Sequence, residues 1–250
     1  MESVEILVNG FIVRNGRTKN GLRKDCIIEE IKSSTIPLIY KKSLLYYVEK
    51  ANDERKDIEE MLKKYMKEFN NSHGQAKRVA MFEKVSFEQF YKDYMNCLSD
   101  AEKESITEET IKDIYDNIKI PKRSTKGSAG YDFFAPVDMT IKPGNTMFIP
   151  TGIRCCMLDN WVLKIYPRSG LGFKFRLQLN NTVGIIDADY YGSSNEGHIM
   201  AKITNDTNED KTVSIEAGKG FMQGIFVEYG IAFDDEADGI RDGGFGSTDK

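Results

Sequence analysis

Apolar residues recur at steps of three, four and seven through Leu44, Val48, Ala51, Ile58, Leu62, Tyr65 and Phe69. That spacing predicts one long amphipathic helix over residues 41–69, with a single buried face. A breaker, NNSHG, follows at 70–74, and the run RVAMFEKV at 78–85 is short enough for a strand. Ser86 with Gln89 three residues on has the form of a capping box. It precedes Phe87, Phe90, Tyr91, Tyr94 and Leu98, which share one helical face. A further helix is expected over 107–117, with Ile111, Ile114 and Tyr115 inward. Near the N-terminus, VEILVNGFIVRNG reads as a hairpin turning at Asn9-Gly10.

The pattern changes near residue 118. Glycine, proline and Asn/Asp punctuation then recurs every 8–12 residues or so, the spacing of all-β folds. Between the breaks lie NIKI, TMFI, WVLKIY, HIMAKIT, TVSI and FMQGIFV. Pro121, Pro136, Pro143, Pro150 and Pro167 are read as sitting at the breaks, as strand pairing requires. The predicted class is α+β: a mainly helical region, 1–117, ahead of an all-β, jelly-roll-like domain, 118–250, of a common domain size. The helical stripes read first as core packing, an extension covering the other domain. A partner-binding or regulatory module is the alternative.

Composition narrows the picture. The 250 residues are 40% hydrophobic and 30% charged, which excludes disorder over most of the length. A net charge of −4 argues against a broadly basic nucleic-acid-coating protein, and no direct nucleic-acid binding is expected. No apolar run approaches the ~20 residues that span a bilayer. Glu2 and Glu5 stand where a signal peptide needs positive charge, so a soluble, cytoplasmic protein is expected. Cys26, Cys97, Cys155 and Cys156 form no CxxC pair, and His73 and His198 are the only histidines. A structural zinc site is therefore not expected, and the cysteines read as reduced, small apolar residues. His198 reads as a strand residue, and Asp234, Asp235, Glu236 and Asp238 as a solvated linker.

Five segments of the β-rich half set an isolated polar group beside glycine or another small residue. In GSAGYDFFA, Asp132 suits either a metal-bound water or a turn that it caps itself. In PRSGLG, Arg168, Ser169 and Gly170 offer a planar cation, a hydroxyl and open backbone N–H groups, a set suited to phosphate oxygens. In NNTVGIIDADY, an apolar strand delivers Asp187 to its end, where a carboxylate can act as general base, and alternation puts Asp189 on the same face. Gln223 is a lone amide in an apolar strand. RDGGFGSTDK supplies Arg241, glycines, hydroxyls and the Phe245 ring, a flexible anion clamp.

In this order the five resemble the motifs of the trimeric dUTPase (dUTP diphosphatase) family, a match covering roughly 115–250. The resemblance implies a β-clip barrel and a homotrimer with three shared active sites. It also implies hydrolysis of dUTP to dUMP and pyrophosphate with Mg²⁺ on the triphosphate, limiting uracil in DNA and supplying dUMP. Carried over by motif, Asp187 is the general base and Asp132 holds Mg²⁺ through water. Arg168, Ser169, Gly170 and Gln223 hold phosphates. Tyr190 packs under the deoxyribose, and Asn181 with the backbone from Gly184 to Ile186 reads uracil in a tight hairpin. Arg241 reaches the γ-phosphate, Phe245 stacks on the base, and Gly246, Ser247 and Thr248 wrap the terminal phosphates.

Three departures stand out. Gly220 occupies the position of the family's usual basic residue in the fourth motif, and the fifth motif is one residue short after Arg241. The stretch YGSSNEG, 191–197, is longer than the family's usual turn and is expected to bulge into solvent. A dCTP-deaminase-like enzyme shares the fold but lacks an Asp-x-Asp-Tyr segment. A nucleotide-responsive binding protein, its helical region gripping a protein partner, is the alternative from another class.

Overall fold

The computed structural model describes residues 2–19, 21–70, 77–239, 241 and 243. The chain forms two compact units, Met1–Met81 and Phe82–Lys250, so the division falls earlier than the change of pattern near residue 118. No helix among the described residues is long and apolar enough to cross a membrane.

The first unit is four helices: α1 Glu2–Arg17, α2 Lys24–Ser33, α3 Leu38–Lys50 and α4 Arg55–Asn70. The expected hairpin at Asn9-Gly10 is instead the middle of α1. Val4, Val8 and Phe11 fall at helical spacing and all three are buried. Burying such side chains contributes about 1.5–3 kcal/mol each, which outweighs the ~1 kcal/mol that Gly10 costs inside a helix. The single helix expected over 41–69 is two, parted at 51–54. There Ala51 N–H closes α3 on Val48 O, and the Asp57 carboxylate takes the Asn52 N–H. Leu44, Val48 and Ala51 before the break and Ile58, Leu62 and Tyr65 after it are all buried. The breaker at 70–74 lies, past Asn70, outside the described residues.

The division falls within β1 Ala80–Lys84, a strand as expected, and the second unit continues with α5 Phe87–Cys97. Ser86 Oγ accepts the Gln89 N–H and caps α5, but the reciprocal half of the box is absent: Gln89 Nε2 donates to Asp93. Two short helices follow, α6 Asp100–Ser105 behind a Ser99/Glu102 capping box, and α7 Glu108–Asp116 behind Thr107. NIKI, 117–120, remains irregular, and an isolated bridge between Lys122 and Asp132 lies just beyond it.

The strands are β2 Tyr131–Phe134, β3 Met139–Ile141, β4 Thr146–Met157, β5 Trp161–Pro167, β6 Leu177–Leu179, β7 Gly184–Ile186, β8 Ile199–Asn205, β9 Val213–Ile215 and β10 Gly220–Glu228. A helix not foreseen, α8 Ser169–Phe175, follows β5. The sheets have strand orders β1-β4-β8-β6 and β2-β10-β5-β7, with β3 and β9 paired apart. Phe133, Leu163, Val213, Phe221 and Met222 are fully covered in this unit. Pro150 lies inside β4, not at a break, but at the irregularity between Pro150 and Ile153, where a missing N–H costs the ladder nothing. Both Cys155 and Cys156 are buried on β4, and burial pushes the Cys155 thiol well above its ordinary range.

Candidate active site

Sheet β2-β10-β5-β7 places the polar residues. Gln223 of β10 sits in register between Asp132 of β2 and Tyr166 of β5. Its Nε2 donates to Pro167 O at 3.3 Å, which aims the amide at the turn carrying Arg168. Arg168 Nε lies 3.2 Å from Asp132 Oδ1, and Ser124 Oγ donates to Asp132 Oδ2 at 2.9 Å. Ser124 had no signal in the sequence beyond its neighbours' polarity. Glycines make the approach possible: a Cβ on Gly130 would lie 2.8 Å from Gln223 Oε1. A Cβ on Gly220 would lie 3.0 Å from an Arg168 guanidinium nitrogen. The departure at Gly220 thus has a physical reading, because Arg168 occupies the space a side chain there would fill. Ser169 and Gly170 are exposed at the start of α8, where backbone N–H groups lack helical partners. An open groove of about 550 Å³ runs past Arg168, Ser169, Phe173 and Gln223.

The Asp187 segment is built separately. β7 pairs only with β5, so it is an edge strand, and Asp187 follows it directly at the head of a short 3-10 turn, Ala188–Gly192. Arg241 forks across two carboxylates: Nη2 pairs with Asp187 Oδ2, and Nε lies 2.8 Å from Asp189 Oδ1. The strand alternation expected to put the two aspartates on one face does not apply, because β7 ends at Ile186 and both stand at the start of the 3-10 turn; the Arg241 fork is what joins their carboxylates. The Tyr190 ring is buried, with the Arg241 guanidinium carbon 5.8 Å from its centre. Its hydroxyl donates to His198 O at 2.8 Å and accepts from Asn195 Nδ2 at 2.7 Å.

The uracil-reading hairpin is not a hairpin. β6 and β7 belong to different sheets. The link is a tight turn in which Thr182 N–H donates to Leu179 O, and Thr182 takes a left-handed φ of 61°. Asn181 is exposed on it. The 191–197 stretch does not bulge into solvent either. Ser193 and Gly197 are buried, and Glu196 hydrogen-bonds Ser86 at the head of α5. Its polar, glycine-bearing composition serves tight left-handed turns, with φ of 57° at Glu196 and 70° at Gly197. His198 is fully buried beside β8 and hydrogen-bonded on both ring nitrogens.

One chain brings these residues into two groups, not one. Ile186, next to Asp187, pairs with Leu163 near the start of β5, whereas Arg168 follows Pro167 at its other end. Five residues of strand separate the two levels, roughly 16 Å at ~3.3 Å per residue. Phe245, Gly246, Ser247 and Thr248 lie outside the described residues. Among the described residues no cluster of three or more His, Cys, Asp or Glu could hold a metal ion. The donor set at the phosphate-suited end is a single carboxylate, Asp132, beside an arginine.

The dUTPase family profile matches residues 116–248. The chain belongs to the dUTPase family. A deoxyuridine 5'-triphosphate nucleotidohydrolase of Lactococcus lactis is 45% identical over 134 residues, which cover 52% of this chain and 88% of that protein. One from Haemophilus ducreyi is 40% identical over 139 residues, covering 52% and 87%. The dUTPase crystal structure from Streptococcus mutans superposes with a TM-score of 0.44 at 32% identity, covering 60% of this chain and 97% of that one. The dUTPase match begins after α5, although α5 belongs to the same compact unit.

Proposed function

We propose that this chain hydrolyses dUTP to dUMP and pyrophosphate by attack of an Asp187-held water on the α-phosphorus, in a homotrimer that completes each site between subunits. The observation that carries the shared site is the separation of Asp187 and Arg168 along β5. A base at one end of the strand and phosphate donors at the other serve one scissile bond only when two copies juxtapose unlike ends. Phe173 at 92% exposure and Ile185 at 52% are apolar surface that such an assembly would cover.

Each group has a role its surroundings suit. Asp187 is half-exposed at a strand end, where water reaches it, and its carboxylate is paired with Arg241. Arg168, already oriented by Asp132, grips phosphate oxygens with Ser169, the Gly170 backbone and Gln223. The free edge of β7 from Gly184 to Ile186 leaves backbone N–H and C=O groups to pair with a uracil edge, beside Asn181. The buried Tyr190 ring forms the sugar wall and leaves no space for a 2′-hydroxyl. Arg241 shifts from the two aspartates to the γ-phosphate as Phe245, Gly246, Ser247 and Thr248 close over the nucleotide.

A lone carboxylate fits Mg²⁺ carried by the polyphosphate, since that ion keeps several waters and takes one or two protein carboxylates. Asp132 would hold it through those waters, and the ion when bound draws off charge that builds on the phosphate oxygens.

Pyrophosphate release from dUTP, dCTP, dTTP and UTP, measured side by side with ammonia release, tests the reading. We expect pyrophosphate from dUTP alone. Ammonia from dCTP would identify a deaminase, and silence toward all four would identify a binder. Asp187→Asn should lower turnover by roughly 10²–10⁴-fold while sparing dUTP affinity. Near wild-type turnover in that variant would remove Asp187 from the role of base.

A further inference from the structure

The loop that follows the catalytic aspartate is held by residues that lie outside the dUTPase match. Asp93 of α5 accepts from Gln89 Nε2 at 2.7 Å and lies 2.6 Å from His198 Nδ1. His198 Nε2 lies 2.8 Å from the Gly152 N–H, which can only donate. Nε2 therefore accepts, Nδ1 carries the proton, and the ring donates to Asp93. The backbone carbonyl of the same histidine receives the Tyr190 hydroxyl. A continuous path thus runs from α5 through one buried imidazole to the sugar-wall ring.

A second tether closes the other side of the loop. Glu196 accepts from Ser86 N at 2.8 Å and from Ser86 Oγ at 2.6 Å, so a carboxylate from the loop satisfies the head of α5. Holding Glu196 at a left-handed φ costs energy that only surrounding contacts can sustain. Gly197 is required as well, because a Cβ there would lie 2.6 Å from Tyr190 O. β4 also needs a glycine where α5 packs: Gly152 has φ 71°, and a Cβ there would lie 2.3 Å from Ile118 Cδ1 and 3.3 Å from Phe90 Cδ2 of α5. Burial opposes ionisation of Asp93, but hydrogen bonds from His198 and Gln89 outweigh it and keep its carboxyl below the ordinary range.

We propose that α5 is a positioning element of the active site, and that Asp93 through His198, with Ser86 through Glu196, locks Tyr190 and so sets discrimination against ribonucleotides. This deepens the reading above and rests on Tyr190 as the sugar wall. Asp93 and Glu196 touch no substrate; they act through the loop.

The test uses the full chain and the ratio of kcat/KM for dUTP to that for UTP. Asp93→Ala and Glu196→Ala should each lower the ratio about ten-fold, mainly through a gain with UTP, because a part-buried, charge-assisted hydrogen bond is lost. Asp93→Asn keeps an acceptor for the imidazole N–H and should restore the ratio to within about three-fold of wild type. Folded, active alanine variants with an unchanged ratio would overturn the proposal. A wild-type chain that fails to discriminate, or to hydrolyse dUTP, would instead overturn the underlying reading, whatever the variants do. Amide exchange of the wild-type chain decides the matter if an alanine variant does not fold. Residues 190–198 should exchange as slowly as β8, and fast exchange there would overturn the lock.

Discussion

In the helical unit, Val8, Phe11, Ile31, Leu44 and Leu62 are fully covered, and Asn15 is the one buried polar side chain among the described residues. In the β unit, Gln89, Thr151, Ser193, His198 and Asn205 are buried among the apolar positions. The described non-glycine residues with left-handed φ, Arg176, Thr182 and Glu196, all belong to the β unit. They also bracket the three site segments: the end of α8 behind Arg168, the turn before β7, and the loop behind Tyr190. One unit is built from periodic apolar contact. The other spends stability on buried hydrogen bonds and strained turns, the usual mark of a site held in one geometry.

The sharpest way to break this contrast is to cut within the β unit at its far end. Deleting residues 241–250 removes Arg241 from Asp187 and Asp189 and takes with it Phe245 and the glycines proposed to close over the nucleotide. Turnover should fall by at least about 10²-fold, because closure and placement are lost together. The oligomeric state should be unaffected, which sedimentation alongside pyrophosphate release would check. Full activity after the cut would separate the tail from the site.

A smaller effect should mark the helical unit. Leu62 is fully buried on α4, and Leu62→Ala should cost that unit about 2–5 kcal/mol through lost burial and a cavity. The helical circular dichroism melt should move down while kcat on dUTP stays put. Leu163→Ala makes the contrast sharper. Leu163 is just as buried, but it lies on β5, the strand that carries Arg168 beyond one end and pairs with β7 at the other. That variant should lose stability and turnover together. A fall in kcat with Leu62→Ala would mean the helical unit takes part in the chemistry.

The two units also differed in how they could be read. Helical spacing located the buried faces of α3, α4, α5 and α7, because i, i+3 and i+4 contacts are local. It failed at α1, where alternation around Asn9-Gly10 imitates a hairpin and only the surrounding core decides for a helix. α6 had a signal in plain view, Ser99 with Glu102, and α8 had almost none. In the β unit the motif residues were legible as isolated polar groups among glycines. Their partners were not. Nothing local links Asp93 to His198 or Ser86 to Glu196, pairs more than a hundred positions apart. Nor could spacing show that Gly220 is small because Arg168 lies over it.

Acid offers the mildest test, and its direction follows from where the carboxylates sit. Burial works against ionisation of both Asp93 and Glu196, yet hydrogen bonds from His198 and Gln89 to the one, and from Ser86 to the other, hold each below its ordinary range. A carboxyl depressed in the folded state stabilises the fold above its unfolded pKa, about 4, and that contribution is lost as pH falls through the folded value. In the helical unit Asp25 and Glu59 are depressed too, by Arg23 and Lys63, but both belong to surface ion pairs, and such pairs contribute little. Below about pH 4 the β unit should therefore loosen before the helices do. Trp161, the chain's only tryptophan, lies on β5 and reports that unit by fluorescence, while far-ultraviolet circular dichroism follows the helices. The tryptophan midpoint should lie at the higher pH, and Asp93→Asn, which cannot be protonated in this range, should narrow the gap. Coincident midpoints in the wild-type chain would mean that Asp93 and Glu196 do not set the acid limit of the β unit.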